Sequence, residues 1–115
     1  MENSRNLALI WSSADREVAL NMIFMYAHNS MLRDWWDQVR LIIWGPSQKL
    51  LVEDSELQEE LREMAFSGVE IWACQACSDR YACSADLSAL GVEVFHVGES
   101  FTTMLQSNEW KVLTL

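Results

Sequence analysis

Five short apolar runs recur along this chain: Asn6–Trp11, Val39–Trp44, Val69–Ala73, Val92–Val97 and Trp110–Leu115. The first two, N-L-A-L-I-W and V-R-L-I-I-W, do not alternate polar with apolar residues. Such near-continuous runs suit strands buried on both faces, as in a parallel sheet. Parallel neighbours need crossover connections, and the intervening segments have helical length. The pattern therefore predicts an α/β fold: a single-domain, three-layer sandwich with a mainly parallel five-stranded sheet and helices on both faces. At 115 residues, the whole of 1–115 makes one domain, large enough for a core without staples. Strand order stays open.

The helices carry start and stop signals. Ser12 and Ser13 follow the first strand as N-cap candidates, with Asp15 and Glu17 in the first turn of a helix reaching about Met31. Its middle, Leu20–Ala27, is apolar almost all round, whereas a helix on a sheet needs one apolar stripe. The surplus predicts a second buried face, supplied most simply by another copy of the chain, with Phe24 and Met25 as candidate contacts. Trp35 and Trp36 read as a cover over a strand edge. Gly45-Pro46-Ser47 makes a tight exit into a short helix, about Ser47–Val52. A longer helix, about Ser55–Ser67, has a capping-box pattern in Ser55 and Gln58 and an inner stripe of Leu57, Leu61, Met64 and Ala65. Gly68 and Gly91 punctuate helix ends before the third and fourth strands, and Phe101–Ser107 reads as a short last helix.

Charge and composition remove several function classes. Seventeen acidic against eight basic residues give a net charge of −9, a field that repels a phosphate backbone, so no nucleic-acid partner is expected. No apolar run is long enough to span a membrane, and Met1–Asn6 lacks the hydrophobic region of a signal peptide. No membrane partner and a cytoplasmic location are expected. W-S-S-A-D after the first strand contains no glycine, which argues against a dinucleotide cofactor.

Ligands of open α/β sheets bind outside the carboxyl ends of the strands. Here those ends are Ser12/Ser13, Trp44–Ser47, Cys74–Cys77 and His96–Glu99. The third is the chemically richest. Cys74 ends a strand and Cys77 follows one helical turn later, in G-V-E-I-W-A-C-Q-A-C. A cysteine opening a helix has free N–H groups and the macrodipole to favour its thiolate. Three cysteines, two of them as CxxC, suit redox, sulfur or metal chemistry in a reducing compartment. Persulfide carriage needs one nucleophilic thiolate in a partly open pocket. Thiol–disulfide exchange of the thioredoxin kind uses a similar CxxC, but the proline facing that motif lies downstream, whereas Pro46 is upstream. Zinc or iron–sulfur ligation lacks an evident fourth ligand unless His96 or a second subunit supplies it. The plainest alternative is a non-catalytic oligomeric ligand- or protein-binding module whose cysteines are small buried hydrophobes. His96 could act as acid or base beside Cys74, and His28 fits a helix C-terminus or an interface.

The chain resembles the DsrE/DsrF-like family, the TusD/YchN-like proteins of sulfur relay and sulfur oxidation. The likeness lies in L-I-I-W-G-P-S at Leu41–Ser47, G-V-E-I-W-A-C-Q-A-C at Gly68–Cys77, G-V-E-V at Gly91–Val94 and the W-K-V-L-T-L ending, and spans nearly the whole chain. The resemblance implies a sulfur carrier or sulfurtransferase holding sulfane sulfur as a persulfide on Cys74, with Cys77 as a second thiol. Ser12, Ser13, Trp44, Gly45, Pro46, Ser47, His96 and Gly98 are then candidate pocket walls. It further implies a homo-oligomer, trimer or hexamer, with sulfur donor and acceptor proteins as partners and no metal or other cofactor. The family pattern has glycine and an apolar residue where this chain has Ala82 and Cys83.

Overall fold

The computed structural model describes residues 5–115, so Met1–Ser4 of the polar N-terminal stretch lie outside it. Five strands form one sheet: β1 (Asn6–Trp11), β2 (Gln38–Ile43), β3 (Glu70–Cys74), β4 (Glu93–Phe95) and β5 (Trp110–Thr114). Every neighbouring pair is parallel, in the order β4-β3-β2-β1-β5. The register aligns Leu9 with Leu41 and Leu113, and Leu41 with Ile71, so side chains of one parity line each face.

That order dictates where the helices go. β1, β2, β3 and β4 advance in one direction across the sheet, and right-handed crossovers place their connecting helices on one face. The return from β4 to β5 runs the opposite way across the sheet and puts its helix on the other. The first face is covered by α1 (Arg16–Val18), a π-helical segment (Ala19–Phe24), α2 (Met25–Leu32), α3 (Ser47–Glu53), α4 (Ser55–Phe66) and α6 (Ser84–Ala89). Under them lies the main core, which includes Leu9, Trp11, Ile23, Phe24, Leu41, Leu57, Leu61 and Leu87. The second face carries only α7 (Gly98–Gln106), over a smaller cluster of Ala8, Ile10, Ile42, Cys74, Val97 and Met104. α5 (Gln75–Arg80) sits at the carboxyl edge against β3 and β4.

The expected three-layer α/β sandwich is what forms. Local details differ. The first helix is capped by Asp15, whose carboxylate accepts the Glu17 and Val18 N–H groups; Ser13 instead accepts the Asp15 N–H, and Ser12 donates to the Leu115 carbonyl. Likewise Asp54, not Ser55, caps α4, taking the Glu56 and Leu57 N–H groups, while Gln58 donates to the Leu51 carbonyl. The boundary falls two residues after Ser13 in the first case and one before Ser55 in the second, each at an extended aspartate, and the Asp54 carboxylate also pairs with Arg16, which reaches Glu56 as well. Ala65 of the expected inner stripe is exposed. α7 starts at Gly98, three residues earlier than the apolar pattern suggests, and β4 is only three residues long.

The apolar surplus of the first helix divides in two. Ile23, Phe24 and Ala27 point into the core, with Phe24 edge-on to Trp11 at 4.9 Å between ring centroids. Met22, Met25 and Tyr26 face outward at 51%, 54% and 39% exposure, beside exposed Trp35. Trp36 is half-buried and donates its indole N–H to the Tyr26 hydroxyl. Phe24 is therefore a core residue and Met25 a surface one.

The open face of the sheet holds one unusual side chain. Arg40 on β2 lies between the rings of Trp72 and Trp110, at 4.1 and 4.3 Å from their centroids, and reaches both carboxylate oxygens of Glu70. It also points a guanidinium nitrogen at the Met104 sulfur of α7. Ala8, the small neighbour on β1, leaves the room for it.

Candidate thiol site

The connections leaving β3 and β4 diverge: α6 packs on the main core and α7 on the opposite face. Adjacent strands whose exits part in this way leave a crevice at their carboxyl ends, the usual ligand position in open α/β sheets. Cys74 is the last residue of β3, and Val97 follows β4 across that gap. Both belong to the smaller cluster, with Cys77, Trp44, Phe95 and Phe101 packed against it.

Cys74 is extended, at φ −72° and ψ 117°, and occupies the cap position of α5. Its residue is 5% exposed, whereas Cys77 is half-buried and nearer the opening. Burial pushes the Cys77 thiol above its ordinary value, and the adjacent Cys74 thiol adds to the rise. The Gly45 N–H and the Arg80 guanidinium act in the opposite direction. Gly45 has φ +87°, a conformation glycine adopts without penalty, and this turn is what directs its N–H toward the cysteine. Cys83 lies in the main core, on the other side of the sheet from Cys74, and burial followed by the nearby Asp86 charge raises its pKa too. The three cysteines thus divide into a pair and an outlier. Among the described residues no group of three or more His, Cys, Asp or Glu side chains converges as a metal site.

The expected walls separate as well. Trp44 packs edge-on to Phe101 at 5.1 Å, closing one side of the pair, and Gly45 touches it directly. Ser47 is buried with its hydroxyl donated to the Trp11 carbonyl, while Pro46 is exposed at the start of α3. Ser12 and Ser13 are engaged in their own turn, at the end of β1. His96 and Gly98 are exposed on either side of buried Val97. His28 lies far along α2, lining a cleft of about 510 Å³ with Leu32, Arg62 and Phe66.

Two features had no signal in the sequence. Gln48 is fully buried, and its amide N–H groups reach the carbonyls of Ile43 and Cys74, both at 3.0 Å. A glutamine at the start of a helix ordinarily reads as solvent-facing, so only three-dimensional pairing reveals it. The second is the turn after α5. Ala82 has φ +54°, in the left-handed region that favours glycine, and a Ser78–Ser84–Asp79 hydroxyl chain braces it.

A parallel α/β sheet with a thiol pair at its carboxyl-edge crevice defines a class of small cysteine-bearing α/β proteins. The model of the DsrE/DsrF-like family matches residues 3–115, and the chain belongs to that family. Among solved structures, a conserved protein of unknown function, BT1422 from Bacteroides thetaiotaomicron, is similar at 35% identity and TM-score 0.92, over 96% of this chain and 95% of its own. The YchN protein from E. coli shares the fold at 19% identity and TM-score 0.71, over 96% and 99%. MTH1491 from Methanobacterium thermoautotrophicum, also of unknown function, does so at 22% identity and TM-score 0.70, over 98% and 100%. No curated protein matches the sequence significantly. No helix among the described residues is long and apolar enough to cross a membrane.

Proposed function

We propose that this protein is a cytoplasmic sulfur-relay protein that carries sulfane sulfur as a persulfide on Cys74. The observation that carries the reading is the packing of Cys74 and Cys77 together at the carboxyl end of β3, with Cys83 on the far side of the sheet. Burial holds Cys77 and Cys83 toward their thiol forms, and the place of Cys74 at the junction of β3 and α5 assigns it the nucleophile's role.

In loading, the Cys74 thiolate attacks the outer sulfur of a donor persulfide. A Cys74 S–S bond forms, the donor S–S bond breaks, and the donor leaves as a thiolate that takes up a proton. Onward transfer reverses this with an acceptor thiolate. Alternatively Cys77, once deprotonated, attacks the inner sulfur of the persulfide and expels hydrosulfide. That leaves a Cys74–Cys77 disulfide, which an external dithiol must reduce to reset the site. Trp44, Phe101 and Phe95 form apolar walls that limit water around the persulfide.

Intact-mass analysis after incubation with polysulfide or a persulfide-bearing protein tests this. A gain of about 32 Da, one sulfur, is expected on the wild type and absent from Cys74→Ser. Undiminished loading of Cys74→Ser overturns it. Cys77→Ser should load normally, with a longer-lived persulfide if Cys77 is the releasing thiol. Self-association belongs to the same reading, through the outward face of Met22, Met25, Tyr26 and Trp35, with the Arg33 guanidinium over the Trp35 ring at its margin. Met25→Glu should reduce the light-scattering mass to that of one chain without unfolding it. A wild-type protein that is already monomeric at micromolar concentration removes the assembly from the reading.

A further inference from the structure

The buried amide of Gln48 has no part in the chemistry above, yet it touches the main chain of the sulfur-bearing residue. The β2–β3 pairing ends at Ile43 and Ala73, and one step further the strands diverge toward α3 and α5. The carbonyls of Ile43 and Cys74 are left there at the carboxyl edge, in a buried setting where an unmet acceptor is costly. Gln48 supplies both donors from a single nitrogen, at 3.0 Å each. Two carbonyl acceptors on one side fix the amide orientation, because its oxygen cannot serve there. The oxygen turns the other way, toward the Cys83 thiol at 4.0 Å. One fully buried side chain therefore joins the ends of β2 and β3 to the residue that opens α6.

We infer that Gln48 is a positioning residue for Cys74: by pinning the Cys74 carbonyl to the end of β2, it fixes the peptide plane that keeps the Cys74 thiol recessed beside Cys77. The inference rests on Cys74 as the sulfur-bearing thiol for its functional meaning, but its test needs no sulfur donor. Cys83 has a role within it, as a weak donor to the free side of the Gln48 amide rather than as a third sulfur carrier.

The experiment is the partition of iodoacetamide between Cys74 and Cys77, read by peptide mass in native protein at fixed pH. Gln48→Met keeps length and volume but donates nothing; Gln48→Glu keeps shape and loses both donors. Each should raise Cys74 labelling relative to Cys77 by about three- to tenfold, the size of one net hydrogen bond. Cys83→Ala, which leaves both Nε2 bonds in place, should keep the wild-type partition. General loosening of the fold would raise labelling of Cys83, buried in the main core, together with that of Cys74, whereas loss of the clamp leaves Cys83 protected. An unchanged ratio in a folded Gln48→Met or Gln48→Glu overturns the inference, and so does an equal shift in Cys83→Ala. If neither of the first two folds, Gln48→Asn, too short to span both carbonyls, takes their place with the same expectation. Should wild type fail to load sulfur while the partition still shifts, the relay reading falls and the clamp stands.

Discussion

The two faces of the sheet are built to different standards. One lies under the helices that connect β1 to β4, with a core of closely packed aliphatic side chains. The other has only α7, and its strands present half-buried Trp72, Phe95, Trp110 and Val112 in place of a deep core. The buried outlier, Cys83, is on the first face, and the thiol pair is on the second. Close packing protects a side chain and also withholds it. Under the proposed relay, a site that admits and releases a sulfur atom belongs where the cover is thin and large flat side chains do the shielding.

The largest expected effect separates two neighbours on β2. Leu41 and Ile42 are both 0% exposed but point to opposite faces. Leu41→Ala should cost about 2–5 kcal/mol, because the helices over it cannot all close on the cavity. Ile42→Ala should fall toward the lower end of that range, since α7 alone can settle inward. Urea denaturation of both variants checks this, and equal losses would show that the second face is packed as rigidly as the first.

Next comes Arg40, the substitute for a core on the thin face. Arg40→Met keeps a long side chain and removes the charge held between Trp72 and Trp110. A loss of about 1–3 kcal/mol is expected from two partly desolvated cation–π contacts. A silent substitution would mean that the tryptophans pack without it.

A smaller effect concerns how the thick cover is tied down. Asp54→Ala removes the α4 cap and should cost about 0.5–2 kcal/mol. The Arg16 guanidinium, followed by the Leu57 N–H, holds the Asp54 carboxyl below its ordinary value of 3.8. With the folded pKa depressed, this contribution is complete above the ordinary value and disappears as pH falls through the folded one. Thermal melts of wild type and Asp54→Asn should therefore differ by a constant amount above about pH 5 and draw together progressively as pH falls below the ordinary value and through the depressed folded one. A difference that persists undiminished at pH 2 would deny the carboxylate this role.

The smallest is Cys83→Ala. Removing a sulfur about the size of a methyl group from the main core should cost about 0.5–1.5 kcal/mol. Its weak contact to Gln48 adds little at 4.0 Å. A loss of several kcal/mol would make Cys83 part of the clamp rather than its neighbour.

What the sequence disclosed follows physical range. Continuous apolar runs bounded by glycine mark strands because both signals are local, and the start of α5 straight after Cys74 was visible for the same reason. The caps were displaced by a residue or two, since Ser12, Ser13 and Ser55 cap as well as Asp15 and Asp54 do, and only the chain path decides among them. Strand order and Gln48 were silent because each depends on residues distant in sequence: β1 against β5, and an α3 amide against the end of β3. The thiol pair was legible as a motif, but its separation from Cys83 required knowing which face each side chain takes.

The π-helical segment Ala19–Phe24 sets the phase of the first helix. Its i→i+5 turns hold a residue more than an α-turn accommodates. Deleting exposed Asn21 would restore a uniform α-helix and turn one half against the other by about 100°. Arg16, now joined to Asp54 and Glu56, would swing away from α4, and amide exchange in the first turn of α4 would report the change. The extra residue thus acts as a phase shifter, letting one continuous helix satisfy an ion pair at its start and an outward methionine face along its middle, two demands that a regular 3.6-residue period would set at odds.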